Sequence, residues 1–216
     1  MSTATLPASD QQISPRGVVL RDVSWEFYEL FLKELGDQRL PHSYVDGELI
    51  LMSPGVRHES AKEWFTFLIG ALTEELELPR RSIGSTTMKL AFAKKGAEPD
   101  AGFLIANAPA LRGKRDWDIE TDPPPDLLVE IDISSRSLNR LPVYAALGVP
   151  EVWIYDGENL RVQLLQEDVY HESETSASFP TLPMRQFADW ISKAWETDET
   201  TWMRNFREWV RENVVR

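Results

Sequence analysis

Two carboxylates carry the clearest chemistry in this sequence. Glu130 interrupts the run Leu127-Leu128-Val129-Glu130-Ile131, whose other members are the Leu, Val and Ile of a strand buried on both faces. An ionised carboxylate taken from water into an apolar setting must be paired, protonated or bound to a cation, because its desolvation is so costly. Asp100 follows Pro99 at the head of the apolar run Phe103 to Ile105 and offers a second acid, while Asp126 and Asp132 lie close to Glu130 in sequence. Acids that converge suit a hard divalent cation such as Mg2+, which takes oxygen ligands in octahedral geometry. The same pattern also suits a plainer arrangement, with each Asp a solvated turn residue and Glu130 facing solvent at a sheet edge.

The elements that must position these acids follow from spacing. Residues 1 to about 20 are small, polar and turn-forming with two prolines, which predicts a flexible N-terminal arm. Ser24 caps an expected helix from Trp25 to Leu35, with Gly36 as its stop. Ser43 to Val45, the pair Asp46-Gly47 and Glu48 to Met52 read as a hairpin. Ser53-Pro54 opens a long helix in which Ala61, Trp64, Phe65, Leu68, Ile69, Leu72 and Leu76 form one apolar stripe. A strand is expected from Ile83 to Phe92, and Lys94-Lys95-Gly96 as the turn into the Asp100 strand. Residues 106–125 read as a polar loop, a functional flap or a disordered segment, ahead of the Glu130 strand.

Beyond that strand, a short helix begins close to Leu141, where Pro142 fits a first turn, and ends at Gly148. Glu151 to Tyr155, Leu160 to Leu165 and Asp168 to His171 read as strands. Phe187, Trp190, Ile191, Ala194 and Trp195 make one helical stripe, and Trp202, Phe206, Trp209 and Val210 a second. The order predicts an α/β or α+β fold, a mixed sheet flanked by helices, over residues 21–190. Residues 191–216 form an expected helical C-terminal extension, packed on the chain's own core or on a partner, as in a homodimer.

Bulk properties exclude several classes. No apolar run approaches the roughly 18 residues of a membrane span, and the N-terminus lacks a basic stretch followed by an apolar one, so the chain reads as cytoplasmic. The absence of cysteine closes disulfide, thiolate and cysteine-zinc chemistry. A net charge of -12 sets the average field against nucleic acid. It leaves room for a local basic groove, for which Lys89, Lys94, Lys95 and the trio Arg112, Lys114 and Arg115 are candidates, although both clusters read more simply as solvated turn residues.

The ordered set Asp46-Gly47-Glu48-Leu49, Met52-Ser53-Pro54, His58, Pro99-Asp100, Pro125-Asp126-Leu127, Val129-Glu130-Ile131, Ser134, Tyr144, Gly148-Val149-Pro150-Glu151, Trp153 and Asp156 resembles the Uma-type restriction endonuclease family, a branch of the PD-(D/E)XK nuclease superfamily. The resemblance implies a restriction-endonuclease-like core with helices on both faces of a mixed sheet and the acid pair on adjacent strands. It implies that Asp100 and Glu130 bind Mg2+ or Mn2+ together with the Ile131 carbonyl, and that DNA is the substrate. His58 matches the family histidine, which contacts phosphate or metal-bound water, or merely steadies the helix start.

The superfamily lysine two residues after the glutamate is Asp132 here, and the Uma-type lysine four residues before Tyr144 is Arg140. Arginine keeps the charge and can clamp phosphate, but it stays protonated and cannot serve as a base. Ser43 and Arg136 stand where the family usually has acids. Glu48 is a candidate third acid or a solvated hairpin residue. Three readings follow: a Mg2+-dependent DNA endonuclease using Asp100, Glu130, Arg140 and His58; a catalytically silent relative kept as an interaction or dimerisation module; and, more remotely, a glycoside hydrolase with paired acids.

Overall fold

The structure, a computed structural model, describes residues 17–215 apart from 37, 39, 91–93 and 134–138. The readings made for residues 1–16, Phe92, Ser134 and Arg136 lie outside them.

The first four described residues, counted above in the arm, form strand β1 (Gly17–Leu20). Helix α1 (Trp25–Leu35) starts at the expected cap, where the Ser24 hydroxyl accepts from the Phe27 N–H, and ends at Gly36. The hairpin is β2 (His42–Val45) and β3 (Glu48–Met52). Asp46 and Gly47, at φ 49° and 84°, supply the positive-φ pair that a two-residue hairpin turn demands. Helix α2 (Val56–Glu75) begins two residues later than Ser53-Pro54 suggests, with Gly55 at its cap. Its stripe of Ala61, Trp64, Phe65, Leu68, Ile69 and Leu72 is buried.

The strand expected over 83–92 is divided. Gly84, at φ 60°, takes a left-handed conformation open to glycine, and the chain changes sheets there. The result is β4 (Arg81–Gly84) in one sheet and β5 (Met88–Leu90) in the other. The lysine turn is likewise shorter than expected: Lys94 alone turns, at φ 47°, and β6 (Lys95–Ala97) is a strand. The chain continues through β7 (Ala101–Leu104), β8 (Leu127–Ile131), α3 (Leu141–Ala146), β9 (Glu151–Tyr155), β10 (Leu160–Gln166), β11 (Val169–Ser173), α4 (Met184–Lys193) and α5 (Glu199–Asn213).

Two sheets result in this mixed α+β fold. One runs β1-β3-β2-β6-β5 and is antiparallel throughout. The other runs β11-β10-β9-β8-β7-β4, antiparallel except for the β8–β9 pair, whose crossover contains α3. Alternation along β8 divides the core. Leu127, Val129 and Ile131 join the cluster under α2, α4 and α5, whereas Leu128 packs with Val143, Tyr144, Val45, Met88 and Ala97 between α3 and the first sheet. Glu130 shares the parity of Leu128 and is directed towards α3. Among the described residues no helix is long and apolar enough to cross a membrane.

The 106–125 loop is folded. Trp117 Nε1 donates to the Pro123 carbonyl at 3.0 Å, Lys114 pairs with Asp122, and Arg81 reaches the carbonyl of Arg115. Asp126 anchors its base by accepting from the N–H groups of Ile105 and Asn107, at 2.6 and 2.9 Å, and from the Asn107 side-chain amide. Both Asp126 and the loop lie at the end of β7 and β8 opposite Asp100. The acid and the trio Arg112, Lys114 and Arg115 therefore stand away from the acid pair. Removing the anchor leaves backbone donors unmet, which costs about 1–3 kcal/mol. Asp126→Ala should thus lower the urea midpoint, with hydrogen exchange accelerated first at Ile105 and Asn107.

Candidate active site

Asp100 stands one residue ahead of β7 and Glu130 next to last in β8. The β7–β8 register pairs Ala101 with Val129. Carried one residue further, it sets Asp100 opposite Glu130, the cross-strand arrangement in which side chains meet. Asp100 Oδ2 accepts from the Ile131 N–H at 2.7 Å, so this carboxylate takes over where the ladder ends. Its Oδ1 lies 3.2 Å from Nε2 of His58, in the first turn of α2.

Glu130 is gripped from α3. Arg140, at the N-cap of that helix, donates from Nη1 to Glu130 Oε2 at 2.5 Å, and Tyr144, one turn later, donates its hydroxyl to Oε1. Pro142 in the first turn leaves the guanidinium turned inward. The same guanidinium reaches the Glu98 carbonyl at 3.3 Å and Met52 Sδ at 3.2 Å. Arg140 is only 8% exposed, and its two terminal nitrogens meet internal partners while its buried Nε has none among the described residues. All four carboxylate oxygens of the acid pair thus have a donor.

Glu48 does not reach this group: it pairs with Arg21 at the surface, at 2.9 Å. Ser43, at the position where the family carries an acid, is buried in β2. Tyr144, Glu98 and Met52 went unpredicted as partners. Tyr144 was legible in principle, because Arg140 and Tyr144 are four apart on one helix face. Glu98 was not, because its part is played by a backbone carbonyl and by a buried chain in which its carboxylate accepts from Thr87 and lies 3.4 Å from His42, itself bonded to Tyr28.

The electrostatics follow from burial. Burial and the neighbouring Asp100 charge push Glu130 up to about 7, against the opposing pull of Arg140 and Tyr144. Burial acts to raise Asp100 too, but the His58 bond, the charges of His58 and Arg140 and the Ile131 N–H hold it below the usual carboxylate range. Burial disfavours the His58 cation, yet Asp100 and Glu59 outweigh it and raise the imidazole. Arg140 is raised despite its burial because Glu130 sits on it. Arg140 and a protonated His58 together match the two acids in charge. Among the described residues, no group of three or more His, Asp or Glu side chains is arranged to hold a metal ion.

Opposed carboxylates beside a histidine and an arginine, at the end of a mixed sheet, can support acid–base or metal-assisted hydrolysis. The chain matches, over residues 25–193, the Uma2 family, described as "Putative restriction endonuclease", and belongs to it. A similar solved structure is that of a "putative nuclease belonging to DUF820" from Anabaena variabilis, 16% identical, covering 84% of this chain and 99% of that one with a TM-score of 0.49. No curated protein matches the chain.

Proposed function

We propose that this chain is a divalent-metal-dependent DNA endonuclease, with Asp100 and Glu130 as the metal-holding acids. The observation that carries the reading is a buried and a partly buried carboxylate set opposite one another on β8 and β7 in a chain of a nuclease family. The donor set fits Mg2+ or Mn2+: two hard carboxylates, with the Ile131 carbonyl as the third oxygen that the family resemblance implies. When bound, the ion supplies charge for the phosphate and lowers the pKa of water.

The chain's own residues do the rest. In this reading Ile131 N–H and His58 orient Asp100 and the Tyr144 hydroxyl orients Glu130, while Arg140 on Oε2 shares the Glu130 carboxylate with the cation. His58, 21% exposed while paired with Asp100, contacts a phosphate oxygen in this reading.

The test is cleavage of supercoiled plasmid and of labelled single- and double-stranded oligonucleotides with Mg2+, Mn2+ or chelator, beside Glu130→Ala. Metal-dependent nicking absent from the variant is the expected result. Cleavage that persists in chelator, or equally in the variant, removes the reading. A second reading, a silent interaction module, is favoured by one observation, the Arg140 guanidinium on Glu130 where a cation would bind. It predicts no cleavage under any condition.

A further inference from the structure

Ser43 is only 1% exposed in β2, yet its hydroxyl has no hydrogen-bond partner among the described residues. Register fixes the face on which it stands. Ser43 pairs with Ile50 of β3 and Ala97 of β6 and shares the parity of Val45. Val45 and Ala97 pack with Val143 and Tyr144 of α3, so Ser43 is directed towards α3 as well.

Arg140 comes down on the same face. Its guanidinium bridges the Glu98 carbonyl, just beyond β6, and Met52 Sδ at the end of β3. β2 runs between those two strands, so the guanidinium lies across β2 beside Ser43. Its Nε, like the serine hydroxyl, lacks a partner among the described residues. The neighbouring side chains of this face, Val45, Ile50, Met52 and Ala97, carry no charge. Glu98 has the opposite parity to Ala97 and turns its carboxylate to Thr87 and His42. A buried guanidinium must be paired. Glu130 supplies the counter-charge, because no residue of β2 does.

We propose that Ser43 is a positioning residue that acts on the acid pair through Arg140. With serine there, the arginine neutralises itself on Glu130; a carboxylate at this place would draw the guanidinium off and leave Glu130 to a divalent cation. The inference rests on the reading of Asp100 and Glu130 as metal-holding acids and adds what limits their affinity. Arg140 and a protonated His58 already match the two acids in charge. A buried group that is neutral must therefore take up the full charge of a divalent ion, and one more carboxylate offsets half of it.

The experiment is Mn2+ binding by isothermal titration calorimetry to wild type, Ser43→Asp, the isosteric Ser43→Asn, Arg140→Ala and the double variant, with thermal melting to check that each is folded. Ser43→Glu replaces Ser43→Asp if the latter does not fold. Ser43→Asp should bind Mn2+ about 5- to 100-fold more tightly than wild type, within the span of coupling between neighbouring residues. Ser43→Asn should match wild type. In the Arg140→Ala background the same acidic substitution should add far less, because no guanidinium is left to draw off. A gain that is absent, that Ser43→Asn shares, or that is undiminished without Arg140 overturns the inference while leaving the metal-holding acids in place. Absence of Mn2+ binding by every protein, Arg140→Ala included, overturns the two together.

Discussion

Arg140→Ala should cost about 3–5 kcal/mol of stability, because removing one partner of a buried ion pair strands the other. Glu130 would keep the Tyr144 hydroxyl but lose its only contact of opposite charge among the described residues. Urea unfolding reads the loss. The informative step comes next: Mg2+ or Mn2+ should stabilise the variant more than the wild type, because a cation that no longer competes with the guanidinium binds more tightly and stabilises by mass action. Equal shifts would mean that guanidinium and metal do not share Glu130. Arg140→Lys restores the residue type of the family pattern. Its compact ammonium cannot reach Glu130, the Glu98 carbonyl and Met52 at once, so an intermediate loss is expected.

Phe206→Ala in α5 should cost a similar amount, about 3–5 kcal/mol. Its ring is fully buried and meets Phe187, Trp190 and Trp209 at centroid distances of 6.0, 5.6 and 5.7 Å. These contacts lie within one chain, so the loss should be independent of protein concentration. If the tryptophan-bearing helices instead formed a homodimer interface, the unfolding midpoint would move with dilution. Light scattering and melts over a hundredfold concentration range separate the two.

The long periodic elements were legible because their apolar residues recur at one period, even where, as at Gly55 before α2, no side chain caps the end. Ser24 is a helix cap in the structure as its type suggests, and Asp198 caps α5 in the same way. The failures occur where a local pattern meets a choice between sheets. Met88 and Leu90 alternate as a strand should, but nothing in the alternation says that Gly84 releases the chain from one sheet to the next. The acids were legible from the cost of burying Glu130, whereas of their partners only Tyr144 could have been found, from its four-residue spacing to Arg140. A guanidinium on Glu130 rather than on a substrate phosphate depends on where the first turn of α3 points, and spacing alone does not fix that direction. Trp195, expected in a helical stripe but 58% exposed just beyond α4, fails for the opposite reason, since periodicity assigns a residue to a helix face but not to the turn after its last residue.

The grip of α5 on α2 also shapes how this protein is made. Glu75, at the end of α2, is held by Arg207 and Arg211, residues 132 and 136 positions further along the chain. On a ribosome adding about 5–20 residues per second, α2 emerges on the order of ten seconds before α5 exists. During that interval Trp64, Leu68 and their neighbours have no final cover, so the nascent chain presents a surface suited to a holding chaperone. Completion of α5 is the event that withdraws it.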